Sequence, residues 1–236
     1  CNDGVAVAKN PLIFLLNNDV SPDSNALSAA VSHFAHNMVG AVGCCEYDAS
    51  GKVQGRSIAS FQRGMFVHAR AKEQTAGPTM WAAGGSIVMR TDLWKKLGGM
   101  DTLFRPAYAE DIDLGYRTWK AGFRVLFEPK ARVFHDHETT NAVVFGRIKM
   151  KTMSYKNAFL FMWKNVTDTN ILLHHFVYLP YHIIFDGLRS HGLLIFGLIQ
   201  ATLQMGEVLG ARRMAAKTAV ISDQVVVEKA HIGGLV

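Results

Sequence analysis

Cysteine is scarce in this sequence. Cys1, Cys44 and Cys45 are the only three among 236 residues. An odd number cannot pair completely, and two cysteines adjacent in sequence rarely bridge each other. No disulfide framework can therefore be read from the sequence, which excludes a small domain held together by disulfides. A reducing compartment such as the cytosol fits this cysteine content best.

A secretory signal and a long apolar run are also missing. Residues 1–10 have neither the basic start nor the apolar segment of a signal peptide, and they lack an initiator methionine. We therefore expect the chain to begin inside a longer protein. Two apolar stretches, 171–185 and 193–209, fall short of the roughly 20 apolar residues that a membrane-spanning helix needs. They favour interfacial or re-entrant helices over helices that cross the membrane.

Charged residues are few, and positive charge dominates them. Charged residues make up 19% of the chain and hydrophobic residues 49%, which is typical of a globular protein. The net charge of +6 and the pI near 9.3 favour an anionic partner, such as a phosphorylated small molecule, an acidic lipid surface or nucleic acid. The length suits one α/β domain with an appendage.

Strand and helix signals alternate over the first 140 residues. Short apolar runs predict strands at 11–16, 39–44, 87–89, 124–127 and 131–134. Helix signals occur at 21–37, 92–97 and 108–121. Residues 62–79 show no clear periodicity and predict a mobile loop. The alternation is typical of an α/β domain, in which ligands bind at the carboxyl ends of the strands.

Strand signals stop at about residue 140, and long helical segments follow. Residues 141–164 are basic and aromatic, and they precede the two apolar stretches. Cationic side chains beside apolar helices are attracted to anionic lipid, so we expect residues 141–217 to form a helical region that rests on a membrane. Residues 218–236 are predicted to be a loose tail. Nucleic acid fits less well as a partner, because no nucleic-acid-binding motif accompanies the basic stretch.

Three polar clusters stand at the ends of predicted strands or at the start of a predicted helix: 17–19, 110–113 and 135–138. A divalent cation that bridges two phosphates takes only one or two carboxylates from a protein, and a histidine can complete its shell. Asp19 and His135 are the candidate metal ligands on this basis. Asp111 is the candidate general base for an attacking hydroxyl. Asp113 is interpreted as structural.

Five motifs follow one another in residues 11–165: FLLNNDV from Phe14, WAAGGSIVMR from Trp81, LGGMDTLF from Leu97, AEDIDLGYR from Ala109 and VFHDH from Val133. In this order they resemble glycosyltransferase family 2, and within it the rhamnosyltransferase-like and galactofuranosyltransferase-like members. The resemblance implies a GT-A fold over residues 1–140, an α/β Rossmann-like domain with a mixed central sheet flanked by helices. It implies an inverting transfer of a sugar from a nucleotide-diphosphate donor to a hydroxyl of a glycan or lipid-linked glycan, as in cell-envelope polysaccharide synthesis.

The resemblance assigns donor and metal roles to one strand end and one histidine. In the family, an Asp-x-Asp-like motif after a strand binds the sugar nucleotide and a divalent metal, Mg²⁺ or Mn²⁺. Asn17, Asn18 and Asp19 stand at these positions, with Asn17 in place of the first aspartate. His135 resembles the histidine that ligates the metal near the diphosphate.

The resemblance assigns the chemistry to two other motifs. Gly84 and Gly85 resemble the segment that approaches the donor sugar and the acceptor. Glu110 and Asp111 resemble the Glu-Asp pair whose aspartate is the catalytic base. A single displacement of this kind needs one base and no enzyme nucleophile.

Two other functions fit parts of the sequence. Family members open with an apolar strand and an acidic residue that hold the nucleotide base, and residues 1–10 do not replace them. This difference and Asn17 leave open a non-catalytic carbohydrate-binding remnant of the same fold. His135, Asp136 and His137 suggest a metal-dependent phosphohydrolase, although no further ligands stand at suitable spacing. We favour the glycosyltransferase, placed on the cytoplasmic face of the cell membrane.

Overall fold

The computed structural model describes residues 1–48, 50–135 and 145–231. Its strands are β1 (Leu12–Leu16), β2 (Val20–Pro22), β3 (Val39–Tyr47), β4 (Val53–Gln54), β5 (Ser57–Gln62), β6 (Met65–Arg70), β7 (Gly77–Pro78), β8 (Ser86–Arg90) and β9 (Arg124–His135). Its α-helices are α1 (Asn2–Ala6), α2 (Ala26–Val31), α3 (Thr91–Leu97), α4 (Glu110–Lys120), α5 (Arg147–Asn165), α6 (Thr169–Tyr181), α7 (Gly187–Arg189), α8 (Leu193–Leu203), α9 (Met205–Thr218) and α10 (Asp223–His231). A short π-helix, His182–Asp186, joins α6 to α7.

The central sheet is mixed. Its main strand order is β1-β8-β3-β9-β2, with β4 beside β3 and β7 beside β9. β3 and β9 run parallel, whereas the other described pairs of this sheet are antiparallel. β3 is buried along nearly its whole length, because its small apolar residues pack on both faces. In this topology the carboxyl ends of β1, β3 and β9 meet the start of β8 at one edge of the sheet.

β9 is one strand rather than the two that the sequence predicted. Separate strands were expected at 124–127 and 131–134, but the strand is continuous. Its pairing with β3 shifts register between Glu128 and Arg132. Pro129 has no N–H to donate to a neighbouring strand, so the chain passes it in a bulge and then resumes pairing.

The helix predicted over 21–37 is shorter than expected. Ser21 and Pro22 belong to β2, where they pair with β9. α2 begins only at Ala26 and gives way to a 3₁₀ turn at Ser32–Ala35. A Ser-Pro-Asp sequence can end a strand in a turn as readily as it opens a helix, which explains the difference.

Residues 62–70 of the loop predicted over 62–79 belong to a hairpin, so that prediction was wrong for the first half of the range. β5 and β6 pair antiparallel, with Gln62 opposite Met65. Arg63 and Gly64 form the turn, and both have positive φ, 48° and 71°. These angles are typical of a type I′ turn. Arginine is uncommon at its first position, and this hid the hairpin in the sequence.

The C-terminal helices share a core with the sheet domain. α5 packs against α8 and α9. Leu160 of α5, Ala201 of α8 and Val226 of α10 belong to the same buried cluster as Met89 of β8. The helices expected over 141–217 therefore pack on the sheet domain, and the predicted fold class, a mixed sheet flanked by helices with a helical C-terminal region, is confirmed.

The described part of the predicted tail is a docked helix. Residues 218–236 were expected to be loose, whereas α10 spans Asp223–His231. Asp223 is fully buried and accepts hydrogen bonds from Tyr116 Oη at 2.7 Å and Lys120 Nζ at 2.8 Å. Both partners lie about 100 positions earlier, and a local sequence pattern cannot show such a contact.

Apolar side chains are exposed on the C-terminal helices. Taken singly, none of the helices in the described ranges has the length and apolar character needed to cross a membrane. α8 and α9 meet that requirement only as a pair, which is bent by 71° at the break between them. We call the following exposed residues the apolar helix surface: Leu173, Phe176, Val177, Phe185, Leu188, Phe196, Ile199 and Leu203.

Candidate active site

The ends of β1 and β8 bring Asn17 against Gly85. Leu16 lies opposite Ser86 in the antiparallel pair, and the Asn17 N–H donates to the Gly85 carbonyl at 3.0 Å. A Cβ on Gly85 would lie 2.5 Å from Nδ2 of Asn17, so the Asn17 side chain can hold this position only while residue 85 has no side chain. Asn18 follows in an exposed turn. Two of the predicted substrate-binding residues are therefore in direct contact.

Gly84 faces the second predicted cluster. A Cβ on Gly84 would lie 3.5 Å from Cβ of Asp111 and 2.8 Å from Cε of Met100. The Gly84 backbone also stabilises the ionised Asp111 carboxylate. One dipeptide, Gly84 and Gly85, thus contacts Asp111 on one side and Asn17 on the other.

Asp19 and His135 meet where β9 ends and β2 begins. Val20 pairs with His135, and Oδ2 of Asp19 lies 3.3 Å from Nε2 of the imidazole. Nδ1 of the same ring lies 3.7 Å from Oε2 of Glu46. Glu46 is buried at the end of β3 and accepts a hydrogen bond from Ser86 Oγ at 2.6 Å. Glu46 was not predicted as a site residue, although an acidic residue at the end of a buried strand was a signal for it.

A cation at this edge would draw on few protein ligands. In the ranges that the structure covers, no group of three or more His, Cys, Asp and Glu side chains is arranged to hold a metal ion. Asp19 and His135 together still offer a carboxylate oxygen and an imidazole nitrogen. Mg²⁺ or Mn²⁺ bound mainly through phosphate oxygens and water takes only one or two protein ligands. This donor set fits such an ion.

α4 begins at an unusual turn of the backbone. Tyr108 and Ala109 have positive φ, 72° and 73°. These angles lie in the left-handed region, which residues other than glycine rarely adopt. The turn places Glu110 and Asp111 in the first turn of α4. A helix N-terminus favours negative charge there.

Asp111 is half-buried, and its pKa is raised to about 6. Burial is the main cause, and the adjacent Glu110 carboxylate adds to it. The Ile112 N–H, which donates to Oδ1 at 2.8 Å, acts in the opposite direction. A carboxylate with a pKa near 6 is ionised at neutral pH and accepts a proton more readily than an ordinary aspartate does. Asp111 therefore has the properties of a general base.

Glu110 acts on this site through its charge. Burial raises the pKa of Glu110, and the nearby Asp113 carboxylate raises it further. Its Oε2 atom is buried and has no hydrogen-bond partner within the described ranges. The geometry gives Glu110 an electrostatic influence on Asp111 and shows no contact that would make it a second base.

Asp113 faces the interior and fixes α4. Its carboxylate accepts hydrogen bonds from Arg117 Nε at 2.8 Å, Lys164 Nζ at 2.6 Å and Asn165 Nδ2 at 2.8 Å. Burial alone would raise the pKa of Asp113, but the cations of Arg117 and Lys164 outweigh it and hold the pKa below its usual value. This cluster ties α4 to the end of α5.

A cavity of about 300 Å³ lies beside Asp111. Its lining includes Phe66, His68, Trp81, Tyr108, Asn157 and Phe161. The rings of His68 and Trp81 meet edge to face at 5.2 Å, and burial lowers the pKa of His68. Neither His68 nor Asn157 was predicted from the sequence as a site residue. β6 and α5 deliver these residues, and the hairpin was not predicted.

The proposed phosphohydrolase residues fall partly outside the described structure. Asp136 and His137, like the neighbouring Glu138, lie outside the described residues, in the gap between His135 and residue 145. His135 is the one member of that cluster with a described position.

A family comparison agrees with the order of these motifs. Residues 1–152 match the model of the family described as Glycosyltransferase like family 2, which is more than half of the 236-residue chain. The chain belongs to glycosyltransferase family 2. The GT-A fold that the resemblance implied is therefore the fold of this family 2 chain.

Two proteins of Mycobacterium tuberculosis are similar to parts of the chain. N-acetylglucosaminyl-diphospho-decaprenol L-rhamnosyltransferase is 35% identical over 63 residues, which are 27% of this chain and 20% of that protein. Pre-mycofactocin glycosyltransferase is 26% identical over 143 residues, which are 58% of this chain and 29% of that protein. The chain thus matches less than a third of the length of either relative.

Two solved structures are distantly similar in fold. GalNAc-T7 with UDP, GalNAc and Mn²⁺ has a TM-score of 0.47 and 13% identity, and the match covers 81% of this chain and 44% of that one. Mannosyltransferase PcManGT from Pyrobaculum calidifontis in complex with GDP-Man and Mn²⁺ has a TM-score of 0.44 and 14% identity, with 97% and 64% covered.

Proposed function

We propose that this family 2 chain carries the catalytic residues of an inverting glycosyltransferase, which moves a sugar from a nucleotide-diphosphate donor to a hydroxyl of a glycan or lipid-linked glycan. The observation that carries the proposal is the Gly84–Gly85 contact with both Asn17 and Asp111. It joins the strand end expected to hold the donor to the carboxylate expected to activate the acceptor. Both reactants can then meet at one point.

Asp111 takes the proton of the acceptor hydroxyl in this proposal. Its raised pKa of about 6 leaves it ionised at neutral pH and matched to general-base catalysis. Attack by the activated hydroxyl on the face of the donor sugar opposite the diphosphate forms the new glycosidic bond as the bond to the diphosphate breaks. A single displacement of this kind inverts the anomeric centre.

A divalent metal would be held by Asp19 and His135. Their paired oxygen and nitrogen donors at the sheet edge support this assignment. When bound, such an ion neutralises the charge that grows on the diphosphate leaving group. Glu46, beside His135, would orient the imidazole.

The cavity beside Asp111 is the proposed acceptor site. Trp81, Tyr108 and Phe161 offer aromatic surfaces, against which the C–H faces of a sugar ring can pack. Asp111 lies in the wall of the same cavity. An acceptor bound there has its hydroxyl within reach of the base.

We also propose that the acceptor is met at the cytoplasmic face of the membrane. The exposed side chains of the apolar helix surface and the net charge of +6 support this placement, because together they attract an anionic bilayer. A relative whose name includes a diphospho-decaprenol acceptor is compatible with a lipid-linked substrate for this chain.

Asp111→Asn tests the catalytic assignment. The variant keeps the size of the side chain and removes the base, so turnover should fall by about 10²–10⁴-fold while Mn²⁺-dependent binding of the donor is retained. The donor is first identified by calorimetry with a panel of UDP-, dTDP- and GDP-sugars, and turnover is measured on the full-length protein. Asp3→Asn is the matched control, because Asp3 is an exposed aspartate that lies far from Asp111 in the sequence.

Each contrary outcome points to a different conclusion. Undiminished turnover in Asp111→Asn would remove Asp111 as the base. Sugar-nucleotide binding that does not require a divalent ion would remove the metal assignment. Acceptor binding without any donor binding or turnover in the wild type would favour the non-catalytic carbohydrate-binding remnant.

A further inference from the structure

The loop before Asp111 is held by α5, a helix of the C-terminal region. Asn157 of α5 is 1% exposed, and its Nδ2 lies 2.8 Å from the Tyr108 carbonyl, 3.0 Å from that of Ala107 and 3.4 Å from that of Phe104. The two amide hydrogens can satisfy the two nearest acceptors. The next residue along, Lys156, donates from Nζ to the Arg105 carbonyl at 2.9 Å. α5 thus supplies donors to three carbonyls of this loop, those of Arg105, Ala107 and Tyr108.

The loop needs such support because of its backbone angles. Tyr108 and Ala109 both adopt the left-handed region, which is unfavourable for residues with a Cβ. Such a conformation persists only where the surroundings fix it. The Tyr108 carbonyl, the shortest of the Asn157 contacts, belongs to the first of these two residues. Asp111 follows two residues after Ala109, so the angles of this turn set the direction of its carboxylate.

We propose that Asn157 is a positioning residue for the reaction: its side-chain amide holds the left-handed turn at 108–109 and thereby aims Asp111 into the acceptor cavity. The proposal rests on the proposed function and adds to it a role for the C-terminal helical region. Asn157 lines the same cavity as Asp111. A helix of the region expected to contact the membrane thus fixes the catalytic carboxylate.

Asn157→Leu is the main test, since leucine has nearly the same shape and no donor. Hydrogen–deuterium exchange of the amides in 104–112 should become faster, whether or not a substrate is known. Turnover should fall by about 10²-fold, the cost of a displacement of roughly 1 Å, with donor affinity unchanged. The acid limb of the pH profile should move below the wild-type position near 6, because a relaxed loop lets water reach Asp111.

Thr152→Ala is the matched control, because Thr152 lies on the same helix and its hydroxyl donates to the helix carbonyl of Ile148 at 3.0 Å. Lys156→Met is the second variant, should Asn157→Leu fail to fold. Lys156→Met removes the ammonium donor and keeps a side chain of similar length. Amide hydrogen exchange near Arg105 should become faster, and turnover should fall less than in Asn157→Leu.

The outcomes separate the two proposals. Unchanged exchange over 104–112 in a folded Asn157→Leu or Lys156→Met variant would overturn the positioning role. So would wild-type turnover with an unshifted acid limb. Faster exchange in a protein whose wild type transfers no sugar would support the loop contact and reject the proposed function instead.

Discussion

At the residue scale, Asp111 combines a raised pKa with a cost in stability. Its folded-state pKa, about 6, lies above the ordinary value of 3.8. Between these two values the folded chain binds more protons than the unfolded chain, so this residue makes the free energy of unfolding fall as pH rises from about 4 to 6. Ionised Asp111 is therefore unfavourable for folding at the pH at which a base is needed.

The first prediction at this scale is a trade between activity and stability. Asp111→Asn should be more stable than the wild type at pH 7 by roughly 1–3 kcal/mol, because asparagine fills the same space without a buried charge. Urea denaturation at several pH values measures the difference, which should be small at pH 4 and level off above pH 7. Equal stabilities across this range would show that the half-buried carboxylate carries no such cost.

In the wild type, kcat/KM should rise as pH passes through about 6, as Asp111 loses its proton.

At the element scale, Asp223 attaches α10 to the rest of the fold. Besides Tyr116 and Lys120, it accepts hydrogen bonds from the N–H groups of Thr167 at 2.6 Å and Asp168 at 2.7 Å. One carboxylate thus joins α10 to α4 and to the link between α5 and α6. Burial would raise its pKa, but the bonds from Lys120 and Tyr116 outweigh burial and lower the pKa.

Asp223→Ala should destabilise the protein by about 3–5 kcal/mol, because it leaves the buried Lys120 ammonium without this partner. Thermal or urea unfolding measures the loss. Glu228→Ala, an exposed acidic residue on the same helix, is the control and should have little effect. The contribution of Asp223 should be present at neutral pH and vanish as pH falls below the ordinary aspartate range, since its folded pKa is depressed. A loss below 1 kcal/mol would mean that α10 is only loosely attached.

The elements that the sequence predicted are those with local signals. The buried run of β3 and the acidic start of α4 follow from apolar periodicity and a helix N-terminus. α10 and the β5–β6 hairpin were missed, because a buried ion pair with Lys120 and a turn that begins with Arg63 have no local signature. Asn17, Gly85 and Asp111 were found through motifs. Their contact through Gly84 could be seen only in three dimensions.

At the scale of the whole molecule, charge and apolar exposure should act together on a lipid surface. The chain should bind vesicles that contain anionic lipid and bind less as salt increases, because its net charge is +6. Leu203→Glu should weaken binding about 10-fold, the effect of withholding one buried leucine side chain from the bilayer. Vesicle cosedimentation measures the affinity.

Val7→Glu is the matched control for that experiment. Val7 is 77% exposed and Leu203 is 81% exposed, so the two substitutions add the same charge to similarly exposed positions. Val7 lies outside the apolar helix surface, and its substitution should reproduce only the small electrostatic loss. Equal effects of the two changes would mean that the apolar helix surface does not enter the lipid.

The hairpin turn beneath α6 limits how this protein can be engineered. A Cβ on Gly64 would overlap the backbone of His175, whose Nδ1 lies 2.9 Å from the Gly64 carbonyl, and Arg63 donates to the Tyr181 hydroxyl at 2.7 Å. Cutting the chain before α6 to ease purification would uncover this turn and loosen β6, whose Phe66 lines the proposed acceptor cavity. Polar substitutions on the outer side of α6 are the safer route to a variant that is easy to handle.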